Sequence, residues 1–187
     1  MLVKKASRKQ VKSLNRLFII ITTSNFVLIG CIALLNSILG PWGVFLYLSG
    51  LFFLPHYQLL DAYRSLLSLL LTGFLIDHLF NYPLGFHAFL LGLIFHVSRE
   101  FFHLGKQSPK QIFVYQGFAN FILALLWFLF GLFANSDTSS WTIFRFLSDL
   151  LFSTVFLIPL SFWYVKFCDT LLHHIEPSLL RISAQSK

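Results

Sequence analysis

The chain has 187 residues, of which 57% are hydrophobic and 11% charged, and its mean hydropathy is +0.76. Soluble domains contain roughly 45–50% apolar and roughly 25% charged residues, and they rarely expose large apolar patches. The composition therefore excludes an ordinary soluble protein and predicts an all-α, polytopic membrane protein. The net charge of +7 is typical of membrane topology signals, and no nucleic-acid partner is expected because the basic N-terminal stretch lacks a nucleic-acid-binding motif.

The apolar stretches predict a bundle of six transmembrane helices. A hydrocarbon core of about 30 Å needs roughly 20 apolar residues per helix, and this measure places a transmembrane domain at residues 17–168. A basic N-terminal segment, residues 1–16, precedes it, and a tail, residues 169–187, follows it. The second span is short enough to tilt or to continue along the membrane interface. In chain order the predicted spans are about 17–39, 42–54, 66–80, 84–102, 112–133 and 143–167.

The positions of Lys and Arg predict the orientation of the chain. With the N-terminus inside, thirteen of the fourteen basic residues fall in cytoplasmic segments, and only Arg145 falls outside. Such a positive-inside bias is the main sequence signal for topology. It supports an even number of spans and predicts that both termini are cytoplasmic.

The most specific pattern lies at the joint between the third and fourth predicted spans. Asp77 is near the end of the third span, His87 is near the start of the fourth, and only a short break at residues 81–85 separates the two spans. Tightly joined helices bring these ends together, so we expect Asp77 to contact His87. Two interpretations are open: a buried hydrogen-bonded pair that fixes the hairpin, or a proton or substrate site.

A second polar pair stands at the start of the sixth predicted span. Arg145 and Asp149 are four residues apart, so they share one face of a helix. We expect their side chains to pair with each other near the outer surface of the membrane.

The sequence lacks the motifs that carry enzymatic chemistry. It has no Gly-rich phosphate loop, no Gly-x-Ser-x-Gly elbow, no His-Glu-x-x-His pair and no Asp-rich metal motif. A membrane phosphatase or prenyl transferase needs clustered Asp, Arg or His to hold phosphate and metal, whereas the seven acidic residues here are scattered over different elements. We therefore expect a protein that is not an enzyme and that binds no cofactor and no metal ion.

The joint also carries a family resemblance. Gly73-x-x-x-Asp77, followed by Tyr82-Pro83-Leu84-Gly85-Phe86-His87-Ala88, resembles the signature of the rod shape-determining protein MreD family. Members of that family are small, strongly apolar proteins, predicted to span the membrane about six times after a basic cytoplasmic N-terminus. In the break, Pro83 is expected to limit the backbone and Gly85 to permit close helix approach. The structural or interaction candidates are Gly73, Asp77, Pro83, Gly85, His87, Arg145 and Asp149.

The resemblance implies a function and a set of partners. MreD-like proteins belong to the bacterial cell-elongation machinery, the elongasome, so the implied function is a non-catalytic scaffold of the inner membrane that supports sidewall peptidoglycan synthesis and cell shape. The implied partners are membrane lipid, an MreC-like single-span protein, RodZ, the actin-like MreB, and RodA with a class B penicillin-binding protein.

An alternative function follows from a second likeness of the same family. Its six-helix architecture resembles that of the substrate-binding subunits of energy-coupling-factor vitamin transporters. A vitamin-type carrier needs an outward-facing pocket with several polar groups. The predicted outer loops are short and offer few such groups, which favours the scaffold over the carrier.

Overall fold

A computed structural model describes residues 8–53, 60–102, 109–134 and 143–175 of the chain. These residues form five α-helices and no β-strand, which confirms the predicted all-α class. The helices are α1 (Arg8–Leu39), α2 (Ala62–Leu79), α3 (Phe86–Phe102), α4 (Pro109–Ala134) and α5 (Ile143–Ile175). The first seven residues of the predicted N-terminal segment and most of the predicted tail lie outside the described residues.

Three of the described helices are long and apolar enough to cross a membrane. They comprise Val11–Trp42, Lys110–Phe133 and Ile143–Leu171, and they overlap the first, fifth and sixth predicted spans. The apolar part of α3, Phe86–Ser98, is shorter. Both α2 and α3 occur where the third and fourth spans are predicted. The helices thus indicate an integral membrane protein.

The prediction of a membrane helix over residues 42–54 is wrong. After a 3-10 turn at Gly40–Trp42, the chain is non-helical through residues 44–48, and a second 3-10 turn follows at Ser49–Phe52. Gly43 ends the helical path because its φ of 72° lies in the left-handed region, which a residue without a side chain adopts readily.

The inserted segment, residues 44–53, lies inside the helical bundle. Its apolar side chains from Leu46 to Phe53 are buried, among them Leu51 and Phe52. Non-helical backbone at membrane depth is tolerated where protein surrounds it, since lipid cannot hydrogen-bond free N–H and C=O groups. The apolar sequence of this segment therefore reflects burial against other helices, and hydropathy alone does not distinguish that burial from contact with lipid.

Two glycines let backbones approach closely inside the bundle. A Cβ atom on Gly50 would lie 2.5 Å from the backbone N of Asn120, so the inserted segment touches α4 directly. A Cβ atom on Gly73 would lie 2.4 Å from the Cα of Ala88, where α2 crosses α3. Small residues at helix crossings permit this kind of packing in lipid, and any larger residue would force the backbones apart.

Polar contacts tie α1 to α2 and α5 in the middle of the bundle. Thr22 Oγ1 lies 2.9 Å from Ser68 Oγ, and the Asn25 amide donates to Thr72 Oγ1 at 3.0 Å. The Tyr164 hydroxyl donates to the Asn25 side-chain oxygen. Such interhelical hydrogen bonds matter in a bilayer because lipid removes most of the hydrophobic attraction between helices.

The two ends of the bundle are distinguished by different contacts. At one end the Arg64 guanidinium donates to Asn15 Oδ1 at 2.7 and 2.9 Å and to Asp61 at 2.8 Å, which fixes the start of α2 beside the start of α1. At the other end a short turn, residues 80–85, joins α2 to α3. We refer to these as the Arg64 end and the turn end.

Candidate functional site

The turn over residues 80–85 places the end of α2 next to the start of α3. Two of its residues have positive φ, Asn81 at 55° and Gly85 at 101°. Asn tolerates the left-handed region better than most residues, whereas a φ near 100° is strained for any residue with a side chain. The Phe86 N–H donates to the Pro83 carbonyl at 3.1 Å, so Pro83 leads into the first turn of α3.

The Asp77 carboxylate is the acceptor that holds this turn. It is fully buried; its Oδ2 accepts the Gly85 N–H at 2.8 Å and its Oδ1 accepts the His87 N–H at 3.0 Å. The His87 ring Nδ1 lies 2.7 Å from the same Oδ1, so the expected Asp77–His87 contact is present. The carboxylate also satisfies N–H groups at the start of α3, where a negative charge is favourable.

A hydrogen-bonded chain continues from His87 to the inserted segment. The Tyr47 hydroxyl lies 2.7 Å from His87 Nε2, and both side chains are buried. The two ring nitrogens of His87 thus bridge the Asp77 carboxylate and the Tyr47 hydroxyl. Sequence analysis missed Tyr47, because a tyrosine in an apolar stretch carries no pattern that links it to a histidine 40 positions later.

Asn36 of α1 binds the inserted segment as a neighbouring β-strand would. Its Oδ1 accepts the Leu46 N–H at 2.7 Å, and its Nδ2 donates to the Leu46 carbonyl at 3.0 Å. The Asn36 side chain thereby pairs both the N–H and the carbonyl of Leu46. Asn36 is buried, so the two hydrogen bonds are shielded from solvent.

Two side chains of α5 accept backbone N–H groups of the inserted segment. Asp149 Oδ1 accepts the Phe45 N–H at 2.9 Å, and Ser153 Oγ accepts the Tyr47 N–H at 2.7 Å. Arg145 Nε lies 4.0 Å from Asp149 Oδ2, which is too far for a hydrogen bond. The expected pairing of Arg145 with Asp149 is thus a long ionic contact, and the closer partner of the carboxylate is the inserted backbone.

Two amide side chains of α4 hold the other part of the inserted segment. Asn120 Oδ1 accepts the Gly50 N–H at 3.0 Å, and Asn120 Nδ2 donates to the Tyr47 carbonyl at 2.9 Å. Gln116 Nε2 donates to the Leu51 carbonyl at 2.9 Å. The absence of a side chain at Gly50 allows this approach, so the glycine and the two amides act together.

Side chains of α1, α4 and α5 thus replace the hydrogen bonds that a helix would form within itself. A buried N–H or C=O without a partner costs about 1–3 kcal/mol, so these side chains make the non-helical backbone possible. The sequence predicted another role for Asp149, and it did not reveal that Asn36, Gln116, Asn120 and Ser153 bind a buried backbone. Their position inside apolar helices is the sequence feature that could have identified them, because polar groups in such helices usually face the bundle interior.

The role expected for Gly85 is wrong. A Cβ atom on Gly85 would meet nothing closer than Phe74 Cε1 at 3.7 Å, so no close helix approach depends on this residue. Gly85 is required instead for its φ of 101° and for the N–H that it donates to Asp77. Gly73 provides the close approach, while Pro83 is exposed in the turn.

A cleft of about 490 Å³ opens at the turn end of the bundle. The inserted segment, the turn, α4 and α5 all contribute to its wall. The size lies within the range of about 300–1,000 Å³ that small-molecule sites occupy. Its aromatic side chains include Phe45, Tyr82, Trp127 and Phe130, and its charged ones are Arg145 and Asp149.

The described residues contain no group of three His, Cys, Asp or Glu side chains arranged to hold a metal ion. Comparisons of the chain with protein-family models, curated proteins and solved structures find no match. The class that composition and fold define is an all-helical membrane protein whose helices enclose a non-helical segment.

Proposed function

We propose that this protein is a non-catalytic, MreD-like scaffold of the bacterial cell-elongation complex in the inner membrane. The observation that carries the proposal is that the interior polar groups hold parts of the fold together. Asp77 and His87 fix the α2–α3 hairpin, and Asn36, Asn120 and Asp149 fix the inserted segment. These contacts join the hairpin, the inserted segment and the surrounding helices into one unit. Such a unit suits a protein that holds its partners in fixed positions relative to one another.

The outer surface of the helices is suited to contact with lipid and with partner helices. On α5, large apolar side chains point away from the bundle, including Phe144, Leu151 and Trp163. In a bilayer, helices associate through close packing and a few hydrogen bonds. Partner recognition by the proposed scaffold therefore depends on shape along such faces, and the implied partners remain an MreC-like single-span protein, RodZ, MreB, RodA and a class B penicillin-binding protein.

The proposed topology keeps six crossings, with the inserted segment in place of the second helix. Asn36, near the end of α1, binds Leu46, whereas Asn15, near the start of α1, binds Arg64 of α2. Asn36 and Asn15 are about 32 Å apart along the helix axis, at about 1.5 Å per residue. The separation of these two contacts supports a return of the chain across the bundle between Leu46 and Arg64. An even number of crossings puts both termini on one side, and the positive-inside bias assigns that side to the cytoplasm.

The scaffold function is tested by deletion and by affinity purification. A null strain of the bacterial host should have rounded or swollen cells with mislocalised sidewall synthesis, and the wild-type gene should restore the rod shape. Purification in mild detergent should recover an MreC-like single-span protein. A null strain with normal shape and a defect in vitamin uptake, together with recovery of transporter ATPases, would overturn the proposal.

A finer test compares the contribution of the turn to partner binding with that of the lipid-facing surface. Gly85→Leu forces a side chain into a φ of 101° and should reduce partner recovery per folded molecule. The comparison variant is Phe118→Leu, on an exposed site of α4, which should reduce recovery less than Gly85→Leu does. Equal recovery from both variants would remove the turn from the partner interface.

The carrier function is the second candidate, and the cleft at the turn end is the observation that favours it. Five of the ten residues that line the cleft carry a polar side-chain group, but one of the five, Asp149, already binds the inserted backbone. A vitamin-sized ligand needs several polar contacts to fix its orientation. The scaffold stays the first proposal because the carboxylate of the cleft is already bonded to the inserted backbone.

A further inference from the structure

The walls of the turn-end cleft form a continuous aromatic surface built from three parts of the chain. Phe45 stacks on Trp127 with ring centroids 5.5 Å apart and an interplanar angle of 10°. Tyr82 packs against Trp127 at 5.7 Å and against Phe130 at 6.4 Å. Because each ring is buttressed by another, the cleft has a preformed apolar wall that suits the hydrophobic body of a ligand.

The accessible charge at this cleft is positive. The Arg145 side chain is 43% exposed, whereas that of Asp149 is 8% exposed. One Asp149 oxygen accepts the Phe45 N–H, and the other lies 4.0 Å from Arg145 Nε. The carboxylate is thus directed to the protein interior and to the guanidinium, which it helps to keep beside the cleft. Guanidinium groups bind carboxylates and phosphates through paired hydrogen bonds.

We propose that the turn-end cleft binds an amphipathic anion, with its apolar body against the aromatic wall and its carboxylate or phosphate beside Arg145. Two sources have this shared chemistry: an anionic lipid of the surrounding bilayer and a free amphiphile from the aqueous phase. The proposal goes beyond the scaffold function and does not depend on it, because it concerns binding by the isolated protein.

The chain offers a variant that fills the cleft without a clash. Gly131 lines the cleft, and a Cβ atom built on it meets nothing within 4 Å. Gly131→Leu should therefore occupy ligand space while the helix gains from the loss of a flexible glycine. Gly117 is a matched control, since it lies on the same helix, has equally open space, and does not line the cleft.

The test is native mass spectrometry of the purified protein in neutral detergent, with four probes added separately. Decanoate and didecanoyl phosphatidylglycerol are the anionic probes, and decanol and didecanoylglycerol, which lack the carboxylate and the phosphate, are their neutral counterparts. The wild-type protein should retain one molecule of an anionic probe at concentrations where the neutral counterpart does not bind. Retention of phosphatidylglycerol alone assigns the site to lipid, retention of decanoate alone assigns it to a free amphiphile, and retention of both assigns it to the shared chemistry.

Three substitutions complete the test. Gly131→Leu and Arg145→Gln should each raise the Kd by at least about tenfold, equivalent to about 1.4 kcal/mol. Arg145→Lys should retain part of the affinity, and Gly117→Leu should bind as the wild-type protein does. Arg145 is exposed, so its variants remain informative if Gly131→Leu fails to fold. Equal binding of neutral and anionic probes, unchanged binding by Arg145→Gln, or equal losses in the two glycine variants would overturn the proposal.

Discussion

The Asn36 side chain pairs both backbone groups of Leu46, accepting from its N–H at 2.7 Å and donating to its carbonyl at 3.0 Å. One residue of a long helix thereby holds a non-helical segment that hydropathy assigns to a membrane helix. The contact explains how a non-helical backbone can lie among apolar side chains without unsatisfied polar groups at this position.

Replacement of Asn36 should destabilise the fold more than replacement of its neighbour. Asn36→Leu leaves the Leu46 N–H and carbonyl buried without a partner, at about 1–3 kcal/mol for each group. Ser37→Leu changes an exposed position of the same helix and should stay within about 0.5 kcal/mol. Thermal unfolding in detergent measures both, and equal midpoints for the two variants would mean that the inserted segment is held in another way.

The loss of stability caused by each substitution of Asp77 should increase with the number of hydrogen bonds that the substitution removes. Asp77→Asn keeps one acceptor oxygen for His87 but places an NH2 group against the Gly85 N–H, so we expect an intermediate loss of stability. Asp77→Leu leaves every one of these donors unpaired and should be the more damaging variant.

A proton-transfer role for Asp77 predicts a different pattern. Asp77→Asn would then abolish function while expression and the unfolding midpoint stayed normal. The measurement is therefore a pair of readouts on each variant, cell shape in a complemented null strain and thermal unfolding of the purified protein. Loss of rod shape that tracks loss of stability supports the structural role.

The glycines of the hairpin should respond in opposite directions to alanine. Gly73→Ala places a Cβ atom 2.4 Å from the Ala88 backbone and should destabilise the α2–α3 contact. Gly92→Ala meets only Leu70 and Leu66 side-chain atoms, at 3.6 and 3.7 Å, and should stabilise α3 by up to about 1 kcal/mol through helix propensity. Unfolding of the two variants in detergent checks the sign, and a stabilised Gly73→Ala would contradict the close crossing.

The proposed topology predicts the side from which introduced cysteines are labelled. Lys4→Cys, Lys106→Cys and Lys187→Cys should react from the cytoplasm, since the positive-inside bias places them there. Asn81→Cys, in the exposed turn, should react from the opposite side. Cys31 and Cys168 are replaced by Ser beforehand so that they do not contribute signal. Labelling of Lys106→Cys from outside would reject the six-crossing arrangement.

The sequence by itself determined the membrane class, the helical fold class and the hairpin contact. Composition fixes the first two because so apolar a chain cannot stay soluble and must satisfy its backbone internally. The Asp77–His87 contact was predictable because a short break joins two helix ends, which makes the pair close in sequence as well as in space.

Only the tertiary structure decided the path of residues 44–53 and the partners of Asn36, Asn120 and Asp149. The hydrogen bonds that fix this path join residues 10 to 106 positions apart, so no local periodicity records them. Hydropathy reports that a residue avoids water, and a side chain facing lipid and one facing another helix meet that condition equally. The difference between a second membrane helix and a buried non-helical segment therefore lies in long-range pairing of the backbone, which the fold alone establishes.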